Sequence, residues 1–169
     1  RAAAIILHDF CDKLDIPIMI YGHTTGNDNV LLFSYAEFDG FDNDDKYRLM
    51  DIHARGSNRD GAAVRFVAEQ LSKRSEDVKI LILVSDGQPA HSGYSGTAAE
   101  EDLRGIKQEY QRKGILFVAA AIGEDKENIE RIKSIDPNIE LKTFRGVKGV
   151  LFDEISEELT GCLFIHLTA

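Results

Sequence analysis

The stretch that most constrains this chain is Lys79 to Ser85, KILILVS. Its unbroken run of branched apolar residues offers no polar face to water. A strand of this kind must be covered on both sides, as an inner strand of a parallel sheet between helix layers is. The run stops at Ser85-Asp86-Gly87, with Pro89 close behind and a polar, glycine-punctuated segment reaching Gly96. A carboxylate therefore stands where a buried strand surfaces, beside a glycine rather than a lysine or arginine.

The rest of the chain supplies partners for such a strand. IPIMIYGHTT (16–25) and VLLFSYAEF (30–38) read as strands joined by a hairpin-like turn, Gly26-Asn27-Asp28-Asn29. ILFVAAAIG (115–123) reads as a second doubly buried strand, and ELKTF (140–144) as a short one. Helical spacing runs through RAAAIILHDFCDKLD, with Ile5, Ile6, Phe10, Cys11 and Leu14 on one stripe. It continues in DNDDKYRLMDIHA, AAVRFVAEQLSKR, TAAEEDLRGIKQEYQRKG and DKENIERIKSI, and in a closing helix over 147–167 that frays after Gly161. Strands alternating with amphipathic helices predict an α/β fold, a doubly wound, mostly parallel sheet flanked by helices. Only the pair within 16–38 has a connection short enough to be antiparallel, which makes one antiparallel edge strand. The 169 residues form a single domain without repeats or linkers.

In open sheets of this kind ligands bind beyond the carboxyl ends of the strands. That directs attention to His23–Thr25, to Asp86–Gly96, and to the middle loop at 55–61 if it folds over the same edge. With 29 acidic against 20 basic residues the formal charge is −9, which argues against nucleic acid or an anionic membrane as partner. A basic protein or divalent cations suit it better. No apolar run reaches spanning length, and no signal peptide is visible. Cys11 and Cys162 lie far apart in apolar contexts and read as two reduced thiols in a cytoplasmic protein. There is no Cys/His spacing of the zinc type.

Ser57-Asn58-Arg59-Asp60-Gly61 offers several side-chain oxygens just before a helix. These residue types also cap helices, so two readings stand: a helix cap, or a set of ligands. Likewise Asp86 is either a loop cap or a functional carboxylate. If the loops converge, Asp60 and Asp86 form a carboxylate pair, which needs a cation, a proton or an arginine between its members. Hard oxygens suit Mg2+, Mn2+ or Ca2+ rather than zinc. Arg55 and Arg59 flank the loop, and either could neutralise the carboxylates in the absence of metal. His23, Thr24, Ser57, His91 and Tyr94 are candidates for a partner-binding rim. Glu100-Glu101-Asp102 reads as a solvated helix start.

The segments NRDGAAVRFVAEQL and ILILVSDGQP, in this order and spacing, resemble a von Willebrand factor A (VWA) domain. The Asn-x-Asp-Gly signature and the SGYSG…EED stretch are similar to the bacterial group that contains the cobaltochelatase VWA subunit and the nitric oxide reductase activation proteins. The resemblance implies a metal-ion-dependent adhesion site, or MIDAS. In that site an Asp-x-Ser-x-Ser motif, a middle-loop threonine and a later aspartate hold a divalent ion. Asp86 falls on the last of these. Counting back from Ala63-Val64, Asn58 falls on the threonine position and Asp60 two residues beyond it. The Asp-x-Ser-x-Ser motif occurs nowhere in the 169 residues, and the chain opens in what should be the helix that follows it. The expectation is an N-terminally incomplete domain with an empty slot mid-sheet, between IPIMIYG and KILILVS.

The resemblance further implies a non-catalytic, cation-dependent interaction module. Its partner would be a MoxR-type AAA+ ATPase, and the pair would insert a metal or activate a metalloenzyme. The chain itself has no G-x-x-x-x-G-K-[ST] loop for nucleotide. Two alternatives are a Mg2+-dependent phosphotransfer or hydrolase domain using Asp86, and a VWA scaffold whose metal site has degenerated. The first lacks an Asp-x-Asp pair, a G-x-S-x-G elbow and a dinucleotide turn.

Overall fold

One five-stranded sheet organises the computed structural model, which describes residues 1–27, 29–85, 91–121 and 162–167, the last six and 120–121 by their backbone. In chain order the elements are α1 (Ala2–Leu14), β1 (Ile18–Thr25), β2 (Val30–Ala36), α2 (Asp45–Met50), α3 (Asp60–Ser72), β3 (Lys79–Ser85), α4 (Gly96–Gln111), β4 (Ile115–Ala121) and β5 (Cys162–Leu167). The strand order is β2-β1-β5-β3-β4. Every adjacent pair is parallel except β1 with β2, so β2 is the antiparallel edge strand that the short connection predicts.

Period-two alternation sends side chains to both faces of this sheet. Ile18 and Ile20 of β1 and Ile80, Ile82 and Val84 of β3 pack in one layer with Ala4, Leu7 and Cys11 of α1 and Leu49 of α2. Met19, Tyr21 and Leu81 point the other way, onto Val64, Val67, Ala68 and Leu71 of α3 and Leu103, Ile106 and Tyr110 of α4. Each large side chain buried in this way contributes on the order of 2 kcal/mol. The uninterrupted apolar run of β3 thus follows from having helices on both sides.

Three sequence expectations are corrected. The slot between β1 and β3 is filled by β5, within residues assigned from sequence to a closing helix. Ile165 pairs with Ile20 on one side and Ile82 on the other, so β5 satisfies two rows of backbone groups that an empty slot would leave bare. In α1 the buried stripe is Ala4, Leu7, His8 and Cys11, while Leu14 is exposed. Ile5 and Phe10 of the expected stripe pack against the same core, and His8 joins it by turning inward to the buried carboxylate of Asp45. Finally, among the described residues β4 is only partly covered on one face, although Val118 packs against the α1 layer and Phe117 against the other. Leu116 is 52% exposed, since β4 is the outermost described strand on its side. Residues 86–90, the expected helix DKENIERIKSI, the expected strand ELKTF and the expected closing helix through Gly161 lie outside the described residues.

Candidate functional site

β1 and β3 deliver their carboxyl ends to one edge. Gly22 of β1 and Val84 of β3 both pair with Leu167 of β5, so His23 and Ser85 emerge at the same level. The middle loop is attached to this edge by its backbone. The amide of Thr25 donates to the carbonyl of Ser57 (2.8 Å), and the hydroxyl of Thr24 donates to the carbonyl of Arg55 (2.8 Å). Gly56, with φ of +109°, lets the chain turn so that both carbonyls face β1.

At the end of that loop Nε2 of His23 stands 3.1 Å from Oδ1 of Asp60, with side chains 0% and 2% exposed. Asn58 is buried beside them in sequence. The N-cap residue of α3 is Arg59, whose side chain makes no cap hydrogen bond, and Asp60 is the first helical residue. Its carboxylate there is favoured by the helix dipole.

The segment after β3 reaches the same helix start. Tyr94 accepts a hydrogen bond from the Gly61 amide (2.9 Å) and donates one to Oδ2 of Asp102 on α4 (2.9 Å). Burial, and then the Asp102 carboxylate, push the Tyr94 phenol above its ordinary pKa, so it stays protonated as a donor. A side chain on Gly61 would overlap both the Asp102 carboxylate and the Tyr94 hydroxyl. The glycine of the Asn-x-Asp-Gly signature is therefore set by this close approach.

The structure thus brings together His23, Thr24, Ser57, Asn58, Asp60 and Tyr94. His91 shares the turn of Tyr94, where the Tyr94 amide donates to its carbonyl (3.0 Å), and its ring stays with Ser92. Asp86 lies outside the described residues; Ser85, directly before it, is buried at the end of β3. The two arginines that flank the loop make these contacts among the described residues. Arg55 pairs with Asp51 and lies over the Phe33 ring (4.4 Å), while Arg59 lies over the Tyr94 ring (5.8 Å). The described ion-pair partner of Asp60 is His23. Sequence reasoning missed Asp102, taken as part of a solvated helix start, and no local signal reveals its link to Tyr94. Among the described residues no cluster of three or more His, Cys, Asp or Glu is placed to hold a metal.

The sequence profile of the VWA domain of the cobalamin biosynthesis protein CobT matches residues 48–137, just over half of the chain. The chain belongs to this VWA family. The matched span carries the middle loop, α3, β3 with the aspartate that follows it, and α4. A curated relative is the uncharacterized protein YojO of Bacillus subtilis (strain 168), 29% identical over 87 residues. That alignment covers 52% of this chain and 14% of YojO, so the VWA domain spans a small part of the relative's length. No solved structure matches the chain significantly. Among the described residues no helix of this VWA domain is long and apolar enough to cross a membrane.

Proposed function

We propose that this VWA domain is a non-catalytic interaction module that binds a protein partner through a divalent cation held at the edge described above. The observation that carries this reading is the gathering of Asn58 and Asp60, both buried, at the edge where β3 delivers the segment beginning with Asp86. The donors fit a hard cation in type. An amide carbonyl and a carboxylate are the oxygens that Mg2+ or Mn2+ takes, and sulfur is absent from the set. Asn58, Asp60 and Asp86 would hold the ion. His23 Nε2 stands against one carboxylate oxygen of Asp60, while Thr24 fixes the loop that carries Asn58. When bound, the ion offers a coordination position to a carboxylate from the partner.

The family points to a chelatase-like setting, and the proposed partner is a MoxR-type AAA+ ATPase acting in metal insertion or metalloenzyme activation. The nucleotide chemistry belongs to that partner, and the VWA domain supplies the docking surface. Isothermal titration of the ATPase into the full chain, in Mg2+ and in EDTA, tests this. Binding that requires Mg2+ and is lost in Asp86→Ala supports it. Binding that is equal in EDTA and indifferent to Asp86→Ala refutes it.

The His23–Asp60 pair favours a second reading, in which the histidine takes the place of a cation and the edge serves protein contact alone. A melting temperature unmoved by millimolar Mg2+ and Mn2+ would select it.

A further inference from the structure

We propose that Tyr94, held in place by Asp102, is a positioning residue for Asp60, and so sets the competence of the edge from a different element of the fold. This deepens the cation reading and rests on it only for the metal arm of the test. The first amides of a helix have no partner within it, and Arg59 at the N-cap of α3 supplies none from its side chain. The Gly61 amide instead donates to Tyr94, a residue carried by the segment between β3 and α4. That amide belongs to the peptide unit joining Asp60 to Gly61. Fixing it fixes the plane from which the Asp60 side chain departs toward His23. The Tyr94 hydroxyl is oriented in turn by Asp102, since a phenol that donates to a carboxylate keeps its lone pairs for an incoming N–H. Gly61 makes room for both groups, because any side chain there would overlap them. The result is one connected path, from His23 through Asp60, Gly61 and Tyr94 to Asp102, joining β1, α3 and α4.

The test uses the full chain and the variants Tyr94→Phe, Asp102→Asn and Asp102→Ala. Three quantities are read: hydrogen exchange at the Gly61 amide, the imidazole nitrogen resonances of His23, and the Mn2+ dissociation constant. Tyr94→Phe should raise Gly61 exchange by roughly tenfold or more, shift the His23 resonances, and weaken Mn2+ about tenfold. Asp102→Asn keeps a carbonyl acceptor for the phenol and should stay close to the wild type, whereas Asp102→Ala should move toward Tyr94→Phe. If Gly61 exchange rises while the His23 resonances stay fixed, Tyr94 merely caps the helix and the proposal is overturned. Asp102→Asn behaving like Asp102→Ala would overturn the role given to the hydrogen bond. If the wild type binds no Mn2+, the cation reading fails, and the two metal-independent readouts still decide this one. If Tyr94→Phe does not fold, the Asp102 pair of variants carries the same decision.

Discussion

His23 and Asp60 meet 3.1 Å apart, Nε2 to Oδ1, with both side chains almost wholly removed from water. The contact fastens the end of β1 to the first residue of α3. His23→Ala leaves the Asp60 carboxylate buried without this partner, a loss of about 1–3 kcal/mol by the usual cost of an orphaned polar group. If a cation also neutralises Asp60, millimolar Mg2+ should restore part of that loss. Urea denaturation in Mg2+ and in EDTA measures both, and an identical loss in the two buffers would count against a shared site.

Asp45 holds a second buried network, away from the edge. Its carboxylate accepts from the Asp42 amide (3.1 Å), contacts Nε2 of His8 (3.0 Å) and pairs with Arg48. The residue is 2% exposed, so truncating it strands His8 inside the protein. Asp45→Ala should cost roughly 3 kcal/mol, as removal of one member of a buried pair does. Asp45→Asn, which keeps an acceptor, should cost less. A loss below about 1 kcal/mol for the alanine variant would mean the network adds little.

Filling of the central slot by β5 is open to direct test. Ile165 has strand neighbours on both sides, Ile20 and Ile82. Proline there removes a backbone donor from the middle of the sheet, so Ile165→Pro should destabilise by about 3 kcal/mol or more. Unchanged stability by urea denaturation would show that the strand does not hold the two halves of the sheet together.

The alkaline limb of stability follows from a buried thiol and several phenols whose pKa values the fold raises, Cys11 and Tyr21 among them. Burial pushes the Cys11 thiol from 9.0 to about 12. Burial, and next the hydrogen bond to Glu37, push the Tyr21 phenol from 10.0 to about 12. Both pKa values are higher in the fold than in the unfolded chain. Their contribution is therefore complete below about pH 9 and is lost as pH rises toward about 12. The denaturation midpoint should begin to fall above about pH 9, and in Cys11→Ala that fall should start nearer pH 10, where the tyrosines take over. A midpoint flat to pH 11 would contradict this.

Much of this architecture was legible in the sequence, and the limits have physical causes. The bounds of β3 coincide with the KILILVS run because a strand covered on both faces must be apolar at every position between its ends. The placement of His23, Thr24 and Asp60 at one edge was legible because strand ends and helix starts gather there in such a sheet. The partner of Asp60 was not found. It depends on how β1 and α3 approach each other, and neither local sequence encodes that. CLFIHL reads as part of a helix because five apolar residues around His166 show no decisive period, and only the vacant place between β1 and β3 makes them a strand. Asp102 was missed for a related reason: acidic residues at a helix start need no partner, and the Tyr94 hydroxyl reaches it from a different segment.

The account depends most on a small hard cation resting among Asn58, Asp60 and Asp86. An anomalous-difference map from crystals of the full chain grown in Mn2+ addresses it most directly. The predicted result is one strong peak within coordination distance of oxygens from all three side chains, absent in Asp86→Ala. A map with no peak at that edge, or with Mn2+ bound only elsewhere on this acidic surface, would contradict it.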